Sequence, residues 1–119
     1  MSYTHDGKKQ VIAKNDPVDP DGIDWAFFAY DDWLRTDETI TSHSALIQGG
    51  VIETDSTFLG NVVDPDGTVY TQCYGVEFSV EPGATQVVIT HRVSTTVAGA
   101  VDLGRTDIDR SVIIPVRTL

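Results

Sequence analysis

The stretch from Gln86 to Thr95 alternates in polarity. Val87, Ile89, His91 and Val93 fall on one side of an extended backbone, and Gln86, Thr90, Arg92 and Ser94 on the other, with Val88 as the exception. A period of two marks a strand with one buried face. The same reading predicts strands over residues 10–14, 23–30, 39–48, 51–59, 68–74, 76–80 and 111–117. In residues 39–48 the expected apolar anchors are Ile40 and Leu46, and Gly75 is expected to separate 68–74 from 76–80. In the last strand Val112, Ile114 and Val116 point inward. Pro115 points outward and has no N–H to give a ladder, which places this strand at an edge or at its own end. Residues 96–104 read as a loop, and nothing along the chain has a sustained helical period.

The strand at 23–30 is apolar on both faces: Trp25, Phe27 and Ala29 on one, Ala26, Phe28 and Tyr30 on the other. Either the strand is central and covered on both sides, or one face meets a partner. Together with Trp33 these residues form the densest aromatic stretch. Some must fill a core, and those of Trp25, Phe27, Tyr30 and Trp33 that face outward are candidate partner contacts. Asp-Pro-Asp-Gly occurs twice, from Asp19 and from Asp64. Proline presets one φ and glycine takes a positive one, so each copy reads as a turn. Short strands punctuated by such turns predict an all-β fold. The expected form is an immunoglobulin-like or fibronectin-III-like β-sandwich of about seven antiparallel strands. It occupies residues 15–119, after an extended N-terminal arm over residues 1–14.

Composition fits this picture. The 119 residues are one domain's worth, and the apolar residues lean on Val and Ile. Lys and Arg total 8 against 18 Asp and Glu, a formal charge of -10. That balance argues against nucleic acid or an anionic membrane as partner. No apolar run is long enough for a transmembrane helix, and residues 1–10 are too polar for a secretory leader. Cys73 is the only cysteine, which excludes an intramolecular disulfide and a cysteine-cluster metal site. It reads as a small, half-buried hydrophobe. Lys8, Lys9 and Lys14 make the arm locally basic, suited to an acidic neighbour or to strand addition at a neighbour's sheet edge.

Candidate chemistry is sparse. Asp16, Asp19, Asp21 and Asp24, with Gly22, resemble a calcium loop in composition. Pro17 and Pro20 interrupt the order such a loop needs, so turn formation is the preferred reading and calcium the alternative. Asp102, Asp107 and Asp109 surround Arg105 and Arg110. They fix the last strands by internal charge pairs, or the arginines grip a neighbouring subunit's carboxylates. His91, on an apolar side, reads as a core histidine with a hydrogen-bonded ring, and His5 and His43 are not at metal-ligand spacing. No nucleophile elbow and no glycine-rich phosphate loop occur. The expectation is a protein without catalytic residues, cofactor or metal.

Several short elements together carry a resemblance: Lys14-Asn15-Asp16-Pro17, Asp24-Trp25, Phe28-Ala29-Tyr30-Asp31-Asp32-Trp33-Leu34, Glu38-Thr39-Ile40, Ile89-Thr90-His91-Arg92-Val93-Ser94-Thr95, and Gly104-Arg105-Thr106-Asp107-Ile108-Asp109-Arg110-Ser111. Over roughly residues 13–117 the chain resembles a family of small bacteriophage virion proteins, the fibre-tail adaptor proteins, which have one immunoglobulin-like domain. Tyr30 and His91 stand where that family tends to have Trp and Asn. The Trp expected soon after Thr39-Ile40 is absent from His43-Ser44-Ala45. The resemblance implies a non-enzymatic structural protein of the virion, made in the host cytoplasm. Its role would be to link the tail tube or an adaptor ring to fibres or spikes, in a symmetric multi-copy assembly. A capsid decoration protein and a carbohydrate-binding adhesive module are the alternatives. Partner contacts are expected at Lys8, Lys9, Lys14, Trp25, Phe27, Tyr30, Trp33, Arg105 and Arg110.

Overall fold

The computed structural model describes residues 3–5, 12–14, 16–64, 66–99 and 103–118, the first two segments as backbone only. Lys8 and Lys9 lie outside the described residues, as does the side chain of Lys14. The strands are β1 (Tyr3–His5), β2 (Ile12–Lys14), β3 (Ile23–Ala29), β4 (Glu38–Gln48), β5 (Gly50–Phe58), β6 (Val62–Val63), β7 (Val69–Tyr70), β8 (Cys73–Val80), β9 (Gln86–Val97) and β10 (Ile108–Pro115). Among the described residues there is no helix.

The strands form a five-stranded sheet in the order β1-β2-β3-β8-β5, a three-stranded sheet in the order β10-β9-β4, and a small β6-β7 ribbon. Every ladder is antiparallel. The expected arm is thus paired onto the edge of β3 through β2. One parallel bridge, Val18 to Val116, joins the segment before β3 to the end of β10.

The two larger sheets share one core, so the chain is all-β and sandwich-like. Ala26, Phe28, Tyr74, Val76 and Phe78 come from one sheet, and Ala45, Val87, Ile89, Val93, Val112 and Ile114 from the other. The alternation predicted in β9 is the burial pattern observed, and it runs on to Thr95. β10 lies at a sheet edge, as Pro115 required. It starts at Ile108, earlier than expected, because Asp109 and Arg110 continue the ladder opposite Arg92 and His91.

Two expectations fail for identifiable reasons. Leu46 does not anchor β4; it is 56% exposed. The β4 register slips between Ile40 and Ser42, and a bulge of one residue moves the following side chains to the other face. Ala45 and Ile47 therefore turn inward. Gly75 does not interrupt β8 either, because it sits mid-strand opposite Phe27. A Cβ there would lie 2.7 Å from Leu59 Cδ1 and 2.9 Å from Trp25 Cε3. The Trp25 ring occupies the space a side chain would fill. Gly75→Ala should lower stability by about 1–3 kcal/mol, read as a lower urea midpoint at unchanged slope. Gly49, at φ 80°, carries the chain from β4 in one sheet to β5 in the other. Its missing Cβ would stand 2.3 Å from the Gln86 carbonyl oxygen, so only glycine fits.

Candidate functional site

The motif residues meet at one end of the sandwich. After β3 the chain turns, and the Tyr30 carbonyl accepts from the N–H groups of Trp33 and Leu34, both at 3.0 Å. This brings Trp33 and Glu38 beneath the loop that precedes β10. The Glu38 side chain is fully buried. Its Oε2 accepts from Thr95 Oγ1 at 2.5 Å, Arg105 Nε at 2.9 Å and Arg35 Nη2 at 3.1 Å. Its Oε1 accepts from the Arg35 backbone N–H at 2.9 Å and from Arg105 Nη2. Burial pushes this carboxyl up, but the bonds from Arg105, Arg35 and Thr95 outweigh it and hold the group well below the usual carboxylate range. The Arg105 guanidinium carbon lies 3.4 Å from the centre of the Trp33 ring, and Nη2 donates to the Trp33 carbonyl at 3.1 Å. Gly104 passes so close that a Cβ would be 2.0 Å from the Thr95 carbonyl oxygen.

This clasp takes Trp33 out of the exposed surface where a partner contact was expected. Arg105 pairs with Glu38 rather than with the nearby aspartates, and Trp33 is 3% exposed beneath it. Of those aspartates, Asp109 pairs with Arg92 through bonds of 2.7 and 3.1 Å, and Asp102 lies outside the described residues. Arg110 lies opposite His91 on the inward side of β10, half-buried.

A second polar chain crosses the core. Tyr30 Oη is 2.7 Å from His91 Nδ1, His91 Nε2 is 2.6 Å from Ser56 Oγ, and Ser56 Oγ is 2.7 Å from His43 Nδ1. Tyr30 is wholly buried and so offers nothing to a partner, contrary to expectation; the core needed its ring. Phe28 stacks on His91 at 5.0 Å between ring centres. The core position expected of His91 is therefore the one observed, with both ring nitrogens bonded. Burial, then the nearby His43, pushes His91 down to about 3. The Ser56–His91 pair has the spacing of a nucleophile and its base. A base titrating near 3 is poor at neutral pH, and the Tyr30 hydroxyl stands where an orienting carboxylate would be needed.

Trp25 and Phe27 lie half-buried on the outer face of the five-stranded sheet. Phe27 packs with Leu59 and Val62 against a small cluster of Ala29, Tyr70 and Cys73. The β6-β7 ribbon thus covers one end of this face, while Ile23 at the other end is 63% exposed. Cys73 is fully rather than half buried, and burial, then Asp31, pushes its thiol up to about 12.

The repeated aspartate motifs are turns. Gly22 N–H donates to the Asp19 carbonyl at 2.9 Å and Asp21 N–H to Asp19 Oδ1 at 2.9 Å. Asp64 repeats this with Gly67 at 3.0 Å and Asp66 at 2.9 Å, and also accepts from Tyr70 Oη at 2.9 Å. The expected positive φ occurs at Gly67, 86°, and not at Gly22. Glu38, Thr95 and Ser56 were not anticipated; each is polar in a strand, and only its distant partner explains it.

No family model, curated protein or solved structure matches the chain.

Proposed function

We propose that the chain is a non-enzymatic structural protein of a bacteriophage virion. In this reading it is a tail adaptor that joins the tail tube or an adaptor ring to fibres or spikes through an immunoglobulin-like sandwich. The observation that carries this is the clasp. Trp33, Glu38, Thr95 and Arg105 belong to separate stretches of the resemblance, and they converge on one buried carboxylate. Elements that look like scattered motifs thus act as one structural unit. The strand order supports the fold assignment: β2-β3-β8-β5 against β10-β9-β4 is the order of the ABED and GFC sheets of immunoglobulin constant-type domains. A rigid module that offers sheet faces, and an arm that carries all three lysines, suits docking between other proteins.

A reconstruction of the virion tests this. Density for the chain at the tail–fibre junction is the expected result. A position on capsomers would replace it with a decoration role, and absence from purified virions would end the structural reading. Carbohydrate binding by the isolated domain on a glycan array would favour the adhesive alternative. Deletion of residues 1–9 should leave a cooperative thermal transition but prevent incorporation into virions. Normal incorporation of the truncated chain would show that the arm is not a docking element.

A further inference from the structure

The polar chain through the core has a fixed direction. Burial pushes the Tyr30 phenol up, so it keeps its proton. Among the described residues its hydroxyl has a single partner, His91 Nδ1 at 2.7 Å. A buried hydroxyl that donates to nothing costs free energy, so Tyr30 donates and Nδ1 accepts. Burial also holds His91 down to about 3, so the ring is neutral at neutral pH and carries one proton. That proton is therefore on Nε2, which donates to Ser56 Oγ at 2.6 Å. The Ser56 hydroxyl is left to donate to the second imidazole, at His43 Nδ1, 2.7 Å away. Asp55 holds this arrangement in place. Its Oδ1 accepts from the Ser56 backbone N–H at 2.6 Å and from the Ala45 N–H of β4 at 3.2 Å, which ties Ser56 to the strand that bears His43. The register of β5 slips between Thr54 and Thr57, and such a bulge re-aims the side chains within it. His43 is exposed and Ser56 half-buried, so this end of the chain of bonds opens to water. The Tyr74 ring lies 4.6 Å from that of His43 and 5.4 Å from that of Phe58, which is 53% exposed.

We propose that Ser56 is an acyl acceptor, whose hydroxyl attacks an activated carboxylic ester with His43 as its base. Ser56 Oγ bonds to the ester's carbonyl carbon, and the bond from that carbon to the leaving oxygen breaks. The leaving group departs with the electron pair of that bond. The hydroxyl proton passes to His43 Nδ1 and from that exposed ring to water or to the leaving group. The N–H of His91 Nε2 stays on Oγ and lowers the cost of removing its proton. The weak proton affinity that disqualifies His91 as a base is what keeps it a donor here. An aryl ester suits the site, because its ring has Phe58 and Tyr74 to pack against beside His43. One acyl group per chain is a covalent modification and not turnover. The proposal therefore goes beyond the structural role proposed above, and either can fail while the other stands.

Treatment of the purified full chain with p-nitrophenyl acetate at neutral pH, with peptide mapping of the acetyl groups, tests this. Ser56 should be acetylated about a hundredfold faster than the exposed Ser44 and Ser111. His43→Gln keeps a hydrogen-bond acceptor beside Ser56 but takes no proton. It should slow acetylation of Ser56 by a similar factor with the thermal midpoint retained, since position 43 is exposed. Acetylation of Ser56 no faster than that of Ser44 would overturn the proposal, as would His43→Gln reacting at the native rate. Acetyl groups on lysines alone would do the same.

Discussion

Glu38→Ala should cost about 3–5 kcal/mol of folding stability, the loss typical when one partner of a buried ion pair is removed. Three side chains converge on this carboxylate, and it is fully buried. Its removal leaves the Arg105 guanidinium beneath the loop, on the Trp33 ring, with no carboxylate to neutralise it. Thr95 loses its acceptor as well. Urea denaturation measures the effect, and the Glu38→Ala/Arg105→Ala double variant apportions it. If the clasp acts as a unit, the double variant is less destabilised than the sum of the single ones. A loss below about 1 kcal/mol for Glu38→Ala would place this pair among surface ion pairs and remove it as the anchor of the loop. The sign with pH follows from the depressed carboxyl. Its stabilisation is fully present above the unfolded carboxyl value, about 4.3, and is lost as pH falls below it.

The second large effect is acid destabilisation through His91. In the unfolded chain a histidine binds its proton at about 6.5, whereas in the folded protein burial holds His91 down to about 3. Between these values the unfolded state carries one more proton, so stability falls as pH falls. The limiting slope for one proton is about 1.4 kcal/mol per pH unit, and the whole interval is worth on the order of 5 kcal/mol. Most carboxylates titrate below about pH 5, so the interval from pH 6.5 to 5 isolates the histidine. Asn cannot titrate there yet keeps a polar side chain toward Tyr30 and Ser56. Urea unfolding of the native chain should therefore steepen its loss of stability across that interval relative to His91→Asn. Parallel curves for the two proteins would show that His91 is protonated in the fold and sink the prediction.

What the sequence made legible followed physical distance. The alternation in β9 could be read because one face is buried along nearly its whole length. The two Asp-Pro-Asp-Gly turns could be read because each aspartate bonds to residues within four positions of itself. Leu46 could not be placed, because a bulge at Ile40/Ser42 has no mark in the residues and changes the phase of everything after it. Gly75 looked like punctuation, and only the cross-strand Trp25 explains a glycine in mid-strand. The clasp was hidden by separation: Glu38 and Arg105 stand 67 residues apart, and the aspartates near Arg105 in sequence made a plausible false partner. Tyr30 and Trp33 read as candidate partner contacts for a similar reason, since aromatic richness does not say which ring a core will take.

The bridge between Val18 and Val116 has a mechanical consequence. The Val18 N–H donates to the Pro115 carbonyl at 3.0 Å, and the Arg117 N–H to the Val18 carbonyl at 2.9 Å. The segments run parallel, so tension applied through residue 18 and residue 117 pulls them in opposite directions along their length. Both hydrogen bonds are then loaded in shear and must yield together, whereas bonds at a peeled end yield one at a time. A load applied between residues 18 and 117 therefore meets its first resistance at the seam between the sheets, before β3 or β10 is drawn from its own sheet.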